Sequence, residues 1–170
     1  MGVLDPVLEQ YRIRARAGRE RFVAAHPLLF LVHTAPEFAD DRAGNDDFEF
    51  ATRVGDVPLD DDDDITEPGW VIAPLKKREG GPFPDRIGLG RARNCDVVLR
   101  FPSVSKLHAQ FRTGAVLHLV DVGSVNGTIV NGTPLVARAP QPVKIGDRLQ
   151  FGTVVVELVD AAGLYDLVVG

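Results

Sequence analysis

The sequence predicts a mainly β protein, an antiparallel β-sandwich preceded by an N-terminal extension with a helix and an acidic linker. After Gly69 the chain consists of many short β-patterned segments, turn signals such as Asn-Gly separate them, and no helical pattern lies between them. With 170 residues, 45% hydrophobic and 25% charged, the chain has the size and composition of one domain with an appendage. We place the boundary at the acidic linker, with the extension over residues 1–68 and the sandwich over 69–170.

The extension begins with a predicted helix over about residues 5–25. Asp5 is a suitable N-cap, Pro6 suits the first helical position, and arginine and alanine are good helix formers, although Gly18 weakens the middle. A proline after His26 should end the helix, because proline moves the preceding residue out of the α region.

Two further segments of the extension have strand character. The apolar run LLFLVH at 28–33 fits either a buried strand or a helical tail, since periodicity does not separate the two. The alternation over Phe48–Val54 indicates an edge strand. Five consecutive aspartates, Asp60–Asp64, repel one another and mark a solvated linker over 56–68.

The charge of the chain is distributed unevenly. Residues 1–64 hold 7 Lys and Arg against 15 Asp and Glu, and the remaining residues hold 12 against 9. An acidic front therefore precedes a mildly basic back, an arrangement that favours contact between the extension and the sandwich. The net charge of −5 gives no general reason to expect nucleic-acid binding.

The strands predicted for the sandwich follow one another at close spacing. They are Trp70–Leu75, Ile87–Gly90, Val97–Leu99, Ala109–Phe111, Val116–Val122, Thr128–Val130, Val143–Ile145, Leu149–Phe151 and Thr153–Val159. Two Asn-Gly pairs, five residues apart, predict consecutive tight reversals. The closing segment AAGLYDLVV fits a short terminal helix or a last strand.

Composition and cysteine content exclude several classes of protein. The single cysteine, Cys95, excludes an intrachain disulfide framework and a Cys-based zinc site, and its place before an apolar strand predicts a buried, inert thiol. No run approaches the roughly 18 apolar residues of a membrane span. The N-terminus also lacks the pattern of a secretory signal peptide. A cytoplasmic protein with no membrane contact is the simplest expectation.

Three short pieces in the β-rich half carry the candidate function. They are Gly90-Arg91, Ser105-Lys106-Leu107-His108, and Ser124–Thr128 with Asn131-Gly132 behind it. Each lies where a strand runs into a turn, the place where a sandwich collects its binding groups. Together they supply a guanidinium, an ammonium, a hydroxyl, a carboxamide and backbone N–H groups. That set suits a tetrahedral dianion with three acceptor oxygens.

In this order and spacing the pieces resemble the forkhead-associated (FHA) domain, a β-sandwich that binds phosphothreonine. The resemblance runs from Ile87 to Gly152 through the stretches GLGRARNCDVVL, SVSKLHAQF, LVDVGSVNGTIVNGTPL and IGDRLQFG. It implies a non-catalytic adaptor in Ser/Thr kinase signalling whose partners are phosphothreonine-containing proteins. We expect no cofactor and no metal ion.

The resemblance gives each motif residue a role. Arg91 would hydrogen-bond the phosphate, Ser105 would donate its hydroxyl to a phosphate oxygen, and Lys106 would contact the phosphate as a basic residue. Asn126 would hold the peptide backbone, and Val125 stands where the family commonly has a serine or threonine that takes part in binding. The residues expected to support the binding loops are Gly90, His108, Gly127, Thr128, Asn131 and Gly132.

Three alternatives to phosphothreonine binding are favoured or disfavoured by different residues of the sequence. Val125 removes one hydroxyl donor, which favours a module that assembles with unphosphorylated partners. Catalysis by Ser105, His108 and Asp121 lacks a G-x-S-x-G elbow, so we expect no enzyme. A nucleic-acid module has against it the acidic half and the few aromatic residues. Its basic set would be Lys76, Lys77, Arg78, Arg86, Arg91 and Arg93.

The acidic segment also carries two candidate phosphorylation sites. We expect Thr52, or Thr66 in DDDDITEPG, to be able to bind the chain's own Arg91 site once phosphorylated, in cis or in trans. This is a specific form of the contact between extension and sandwich that the charge distribution favours.

Overall fold

The computed structural model describes residues 6–33 and 71–170. The helices are α1 (Pro6–Ala15), α2 (Arg19–Ala25) and α3 (Ala161–Val169). The strands are β1 (Phe30–His33), β2 (Val71–Pro74), β3 (Arg86–Gly90), β4 (Val97–Val98), β5 (Ala109–Arg112), β6 (His118–Asp121), β7 (Thr128–Val130), β8 (Thr133–Pro134), β9 (Gln141–Pro142), β10 (Arg148–Phe151) and β11 (Val154–Val159).

The strands form two sheets that pack face to face, as the sequence predicts. One sheet has the order β2-β1-β11-β10-β7-β8 and the other the order β4-β3-β5-β6-β9. Neighbouring strands are antiparallel except β3 and β4, which are parallel because the loop between them crosses back before β4 begins. Alternate residues of the strands meet in the core, where Phe111 and Phe151 lie edge to face and are fully buried.

Strand β1 resolves the ambiguity of the apolar run at 28–33 in favour of a strand. It lies between β2 and β11 in the first sheet, with Phe30 opposite Val159 and Pro74. A segment that precedes the predicted boundary at residue 68 is therefore an internal strand of the sandwich.

The single helix predicted over 5–25 is two helices. Gly18 has a φ of 95°, a left-handed conformation that a helix does not contain, and it separates α1 from α2. The second helix ends at Ala25, before the His26-Pro27 pair, as predicted.

The closing segment is a helix rather than a last strand. The carboxylate of Asp160 caps α3 by accepting a hydrogen bond from the N–H of Gly163 at 2.8 Å. The three helices share a second apolar core with the outer face of the first sheet. Its largest members include Leu8, Tyr11, Phe22, Phe30, Ile72 and Leu164.

The sequence predicted one strand wrongly and missed two short ones. Val143–Ile145 is not a strand: the two-residue strand β9 ends at Pro142, and the N–H of Lys144 is already turned towards the carboxylate of Asp147. Strands β8 and β9 escaped prediction because each is a short exposed pair that contains a proline and has no apolar residue facing the core. The predicted edge strand Phe48–Val54 and the acidic linker 56–68 lie outside the described residues.

The chain leaves and re-enters the sandwich at one end. Strand β1 runs antiparallel to β11, so its last residue, His33, lies near the start of β11, where its Nδ1 is 2.6 Å from the carbonyl oxygen of Val155. Strand β2 runs back from the same end, beginning at Val71. The 37 residues between them, 34–70, include 13 Asp and Glu against 2 Arg, so they carry a strong negative charge.

Within the part of the chain that the structure describes, no helix has the length and apolar character needed to cross a bilayer. The same residues include no group of three or more His, Cys, Asp or Glu side chains placed to hold a metal ion.

Candidate functional site

Three loops meet at the end of the sandwich where β3 and β6 finish and β5 and β7 begin. They are the β3–β4 loop (91–96), the β4–β5 loop (99–108) and the β6–β7 loop (122–127). The antiparallel order of β3, β5 and β6 brings them together although they are far apart in sequence. The three motif pieces thus form one site, apart from the Asn131-Gly132 turn.

Arg91 is held against the β4–β5 loop by its backbone and by its side chain. Its N–H donates to the carbonyl of Ser105 at 2.9 Å, and its Nε–H donates to the carbonyl of Val104 at 3.1 Å. Nη1 of Arg100 donates in turn to the carbonyl of Arg91 at 3.0 Å. The bond from Nε–H fixes the orientation of the guanidinium, whose planar terminal N–H groups form a fork that suits an oxyanion.

Ser105 joins the second loop to the third. Its hydroxyl oxygen accepts a hydrogen bond from the N–H of Val125 at 3.0 Å. A hydroxyl has one donor and two acceptor positions, so this bond orients the oxygen and leaves the O–H to donate. Val125 itself is 88% exposed, which places an apolar side chain beside this hydroxyl at the surface.

His108 braces both loops from beneath, the architectural role that the resemblance implies. Its Nδ1 accepts from the N–H of Ser105 at 3.0 Å, which makes Nε2 the protonated nitrogen and the donor to the carbonyl of Gly127 at 2.8 Å. The ring is fully buried, and burial lowers its pKa more than the bond to Gly127 and the charge of Asp121 raise it. A neutral imidazole with both nitrogens engaged by backbone groups does not activate the Ser105 hydroxyl, so the site lacks the geometry of a catalytic triad.

Asn126 connects the third loop to the second. Its Nδ2 donates to the carbonyl of Ser103 at 2.8 Å. Ser103 is itself fixed by Thr153 of the β10–β11 turn, because their hydroxyls lie 2.8 Å apart and the N–H of Thr153 donates to the Ser103 hydroxyl at 3.0 Å. The carboxamide that is predicted to hold a peptide backbone thus donates to the backbone of this chain.

Asp121 organises the β6–β7 loop, a role that the sequence analysis missed. Its Oδ1 accepts from the N–H groups of Gly123 and Ser124 at 2.8 and 2.9 Å, and its Oδ2 accepts from the hydroxyls of Ser124 and Thr128 at 2.6 and 2.7 Å. Burial raises the pKa of this carboxyl, but the hydrogen bonds from Ser124, Thr128 and Gly123 outweigh it and the pKa is lowered. The sequence feature that could have indicated this role is the position of Asp121 two residues before Gly123, which is the spacing of an Asx turn.

Gly90 and Lys106 lie in close backbone contact. A Cβ on Gly90 would come within 2.1 Å of the carbonyl oxygen of Lys106, so only glycine fits where β3 passes the second loop. That carbonyl also accepts from the N–H of Ala92 and from the thiol of Cys95. The ammonium of Lys106 belongs to an exposed residue on the surface of the site.

Cys95 is buried, as predicted. Burial, followed by the nearby charge of Asp96, raises the pKa of its thiol, which keeps it protonated and unreactive at neutral pH.

Gly127 and Thr128 lie in the site, whereas Asn131 does not. The carboxamide of Asn131 bonds the carboxylate of Asp147 at 3.0 Å and the N–H of Arg148 at 2.9 Å, both at the β9–β10 connection. Strand β7 carries the chain away from the three loops before Asn131 and Gly132 form their turn. The expectation that these two residues support the binding loops is therefore corrected: their contacts organise the neighbouring hairpins instead.

The basic set proposed for nucleic acid is largely engaged within the fold. Lys77 forms an ion pair with Asp96 at 3.0 Å, and Arg78 donates to the carbonyls of Arg93 and Cys95. Arg86 lies over the ring of Phe83 at 4.9 Å. These cations fasten the β3–β4 loop and strand β3.

The fold and site define a β-sandwich whose loops at one end present oriented donors around Arg91 and Ser105. The family model of the FHA domain matches residues 87–152, which identifies this part of the chain as an FHA domain. The match begins and ends at the residues between which the sequence resemblance runs.

Similarity to curated proteins covers the same region. The chain is 42% identical over 64 residues to the oxoglutarate dehydrogenase inhibitor of Corynebacterium glutamicum, which is 37% of this chain and 43% of that protein. It is 37% identical over 73 residues to the DNA damage response protein kinase DUN1 of Saccharomyces cerevisiae, which is 38% of this chain and 14% of the kinase. The chain thus spans less than half the length of these relatives.

Solved structures show a more distant likeness. The N-terminal FHA domain of S. cerevisiae Rad53p in complex with a phosphothreonine peptide matches with a TM-score of 0.46 and 21% identity, covering 57% of this chain and 90% of that one. An engineered FHA domain with the Myc-pTBD peptide matches with a TM-score of 0.48 and 18% identity, covering 82% of this chain and 97% of that one.

Proposed function

We propose that this protein recognises phosphothreonine in other proteins and acts as a non-catalytic adaptor in Ser/Thr kinase signalling. The observation that carries the proposal is the hydrogen bond between the hydroxyl of Ser105 and the N–H of Val125, because it joins the β4–β5 loop, which holds the Arg91 side chain through the carbonyl of Val104, to the β6–β7 loop. The match of residues 87–152 to the FHA-domain model supports the proposal. The names of the relatives, an inhibitor and a regulator among them, describe regulatory proteins.

The chemistry of the site fits a phosphate better than a carboxylate. A phosphothreonine carries roughly −1.5 to −2 charges at neutral pH and three acceptor oxygens. Arg91 supplies a fork of N–H donors, Ser105 a short directional O–H, and Lys106 a mobile point charge at the surface. Three donors of different reach match three oxygens of a tetrahedral group.

Magnitudes support binding in the micromolar range. A hydrogen bond to a charged group contributes about 1.5–3 kcal/mol, and micromolar affinity corresponds to about 8 kcal/mol. Arg91, Ser105 and Lys106 would therefore supply much of that affinity. The unphosphorylated threonine would lose it, because both cations would lack an anionic partner.

A second candidate function is phospho-independent assembly, which the exposure of Val125 favours. An apolar side chain that is 88% exposed beside the hydroxyl of Ser105 is suited to contact an apolar partner residue. In that case affinity would not depend on phosphorylation of the partner.

Calorimetric titration of the full chain with a degenerate phosphothreonine peptide pool tests the proposal. The controls are the unphosphorylated pool and two variants, Arg91→Ala and Arg93→Ala, which remove the same charge from neighbouring positions in the β3–β4 loop. We expect micromolar binding of the phosphorylated pool alone, a loss of about 30-fold (about 2 kcal/mol) in Arg91→Ala, and little change in Arg93→Ala.

Equal binding of both pools would contradict phosphothreonine recognition and favour the assembly module. Equal losses in the two arginine variants would indicate attraction by net charge rather than by a built site. Retention of DNA or RNA with a steep salt dependence would instead mark a nucleic-acid module.

A further inference from the structure

A groove of about 660 Å³ runs along the open side of the sandwich, between edge strands β2 and β4. We call it the β2–β4 groove. Its lining includes the half-buried apolar residues Ala73, Val98 and Phe101. The exposed cations Lys76 and Arg78 form its rim, and half-buried Arg100 lies at the end nearest Arg91.

The β2–β4 groove is continuous with the candidate site. Strand β4 runs parallel to β3, and both run towards the three loops. At the end of β4, Arg100 lines the groove and donates to the carbonyl of Arg91 at 3.0 Å. From Arg100 at the site to Asp96 the groove spans four residue steps, about 13 Å of extended chain, so Arg78, whose N–H donates to Asp96, would face ligand residues from about the fourth position away from a phosphothreonine at Arg91.

The charge of the groove is positive. Its lining contains four cations, Lys77 included, and two carboxylates, Glu79 and Asp96. The carboxylate of Asp96 is engaged within the fold, because it accepts hydrogen bonds from the ammonium of Lys77 at 3.0 Å and from the N–H groups of Arg78 and Gly88 at 2.8 Å. A ligand in the groove therefore meets cations on the rim, with Glu79 as the opposing carboxylate.

The groove is poorly suited to the addition of a strand. Pro74 of β2 has no N–H to offer, and its carbonyl already accepts from the N–H of Lys76 at 3.0 Å. Side chains rather than a ladder of backbone hydrogen bonds must therefore provide the attraction.

We infer that the β2–β4 groove binds an acidic segment of the same target that presents its phosphothreonine to Arg91 and Ser105. The inference rests on the proposed function and narrows it: the target carries a cluster of Asp or Glu about four to six residues from the phosphothreonine. Charge complementarity with the rim and continuity with the site at Arg100 support this occupant.

Matched peptides test the groove separately from the phosphate site. Each has one phosphothreonine in a neutral background, with three Glu at positions 4–6 before it, three Glu at positions 4–6 after it, or Gln in the same places. The full chain is titrated at low salt beside Lys76→Glu and Arg16→Glu. Both positions are exposed, and only Lys76 lines the groove. Thermal unfolding verifies that each variant is folded.

One of the two Glu peptides should bind about 5-fold more tightly than its Gln counterpart, as expected for a few exposed ion pairs. Lys76→Glu should abolish this preference without weakening the Gln peptides, and Arg16→Glu should retain it. Phosphorylation-dependent binding with equal affinities for Glu and Gln peptides would overturn the inference and leave the proposed function standing. A Gln peptide that binds no better than its unphosphorylated form would refute both.

The other occupant of the groove would be an acidic segment of this chain. A further variant, in which a Gly-Ser linker replaces residues 36–68, distinguishes it. A preference for Glu that emerges only in this variant would assign the groove to the chain's own acidic residues and overturn the assignment to a target.

Discussion

The hydroxyl of Ser105 and the backbone N–H of Val125 form a hydrogen bond of 3.0 Å that joins the β4–β5 loop to the β6–β7 loop. This bond turns two separate sequence motifs into one surface. The β4–β5 loop also holds the side chain of Arg91, whose Nε–H donates to the carbonyl of Val104 at 3.1 Å.

Ser105→Ala should weaken phosphopeptide binding far more than it weakens the fold. Removal of the hydroxyl deletes a donor to the phosphate, which predicts at least a 10-fold loss of affinity. The N–H of Val125 also loses its partner, but it belongs to a highly exposed residue and water can replace the bond, so the unfolding free energy should fall by less than about 1 kcal/mol. Calorimetry and urea unfolding check the two effects, with Ser105→Thr as the variant that keeps a hydroxyl. Unchanged affinity in Ser105→Ala would exclude the hydroxyl from binding.

Asp121→Asn should destabilise the β6–β7 loop and with it the whole fold. The carboxylate accepts four hydrogen bonds from residues 123, 124 and 128. A carboxamide replaces one of the two charged acceptor oxygens with an NH2 donor, so it cannot accept all four. We expect a loss of about 2–3 kcal/mol in urea unfolding at pH 7. Asp85→Asn, which alters an exposed carboxylate, is the control and should change stability by less than about 0.5 kcal/mol.

The lowered pKa of Asp121 also predicts that the free energy of unfolding decreases at acidic pH. Its pKa is lower in the folded protein than its ordinary value of 3.8, so the unfolded chain binds the proton more readily. This contribution is therefore present above pH 4 and is lost as the pH falls through the folded pKa. In Asp121→Asn the loss of stability in this range should be smaller than in the natural chain.

His108 predicts a second pH window, which lies below its ordinary pKa of 6.5. Because burial lowers its pKa below the ordinary 6.5, the unfolded chain takes up a proton first as the pH falls. The unfolding free energy should thus be highest above pH 6.5 and decrease below it. Protonation of Nδ1 would also remove the acceptor for the N–H of Ser105. Urea unfolding at pH 5–8 measures the slope, and His108→Gln should flatten it; an equal slope in the variant would assign it to other groups.

The two glycines of β3 make a matched pair for a steric test. A Cβ on Gly90 meets backbone of Lys106 at 2.1 Å, whereas a Cβ on Gly88 meets only side-chain atoms at 3.5 and 3.7 Å. Gly90→Ala should displace the second loop, destabilise the fold by more than about 2 kcal/mol and abolish peptide binding. Gly88→Ala should remain folded and bind normally. Similar behaviour of the two variants would show that the approach of β3 to Lys106 is not needed.

The position of β1 predicts how the acidic segment can be removed. Deletion of residues 1–68 takes away an internal strand that pairs with both β2 and β11, so this truncation should not fold. Replacement of 36–68 by a short Gly-Ser linker keeps β1 and should leave the melting temperature nearly unchanged. Because it removes most of a strongly negative segment that begins and ends at the site end of the sandwich, phosphopeptide affinity should rise at low salt. A lower affinity would mean that the acidic residues assist binding.

Motif spacing predicted the loops well because their residues are local signals. Gly90-Arg91 and Ser105 to His108 each occupy a strand end and its turn, and the structure adds the hydrogen bonds that connect them. The Asn126-Gly127 turn likewise lies where predicted, with Gly127 at a φ of 82°.

The features of the fold that the sequence could not predict depend on contacts between residues that are far apart in the chain. Strand β1 is a four-residue apolar run whose partners lie about 40 and 125 positions away, so no local pattern distinguishes it from a helical tail. The Asn131-Gly132 turn has the same composition as the turn in the site, and only the direction of β7 shows that it faces the neighbouring hairpins. The β2–β4 groove likewise exists only once two sheet edges are brought together.

The most direct test of the central claim is to map phosphopeptide binding onto the amide spectrum of the full chain by NMR. The account predicts that a phosphothreonine peptide shifts the backbone signals of Ser105, Lys106, Val125 and Asn126 and the Nε signal of Arg91, and that its unphosphorylated form does not. Equal shifts with both peptides, or shifts confined to residues outside the three loops, would contradict it.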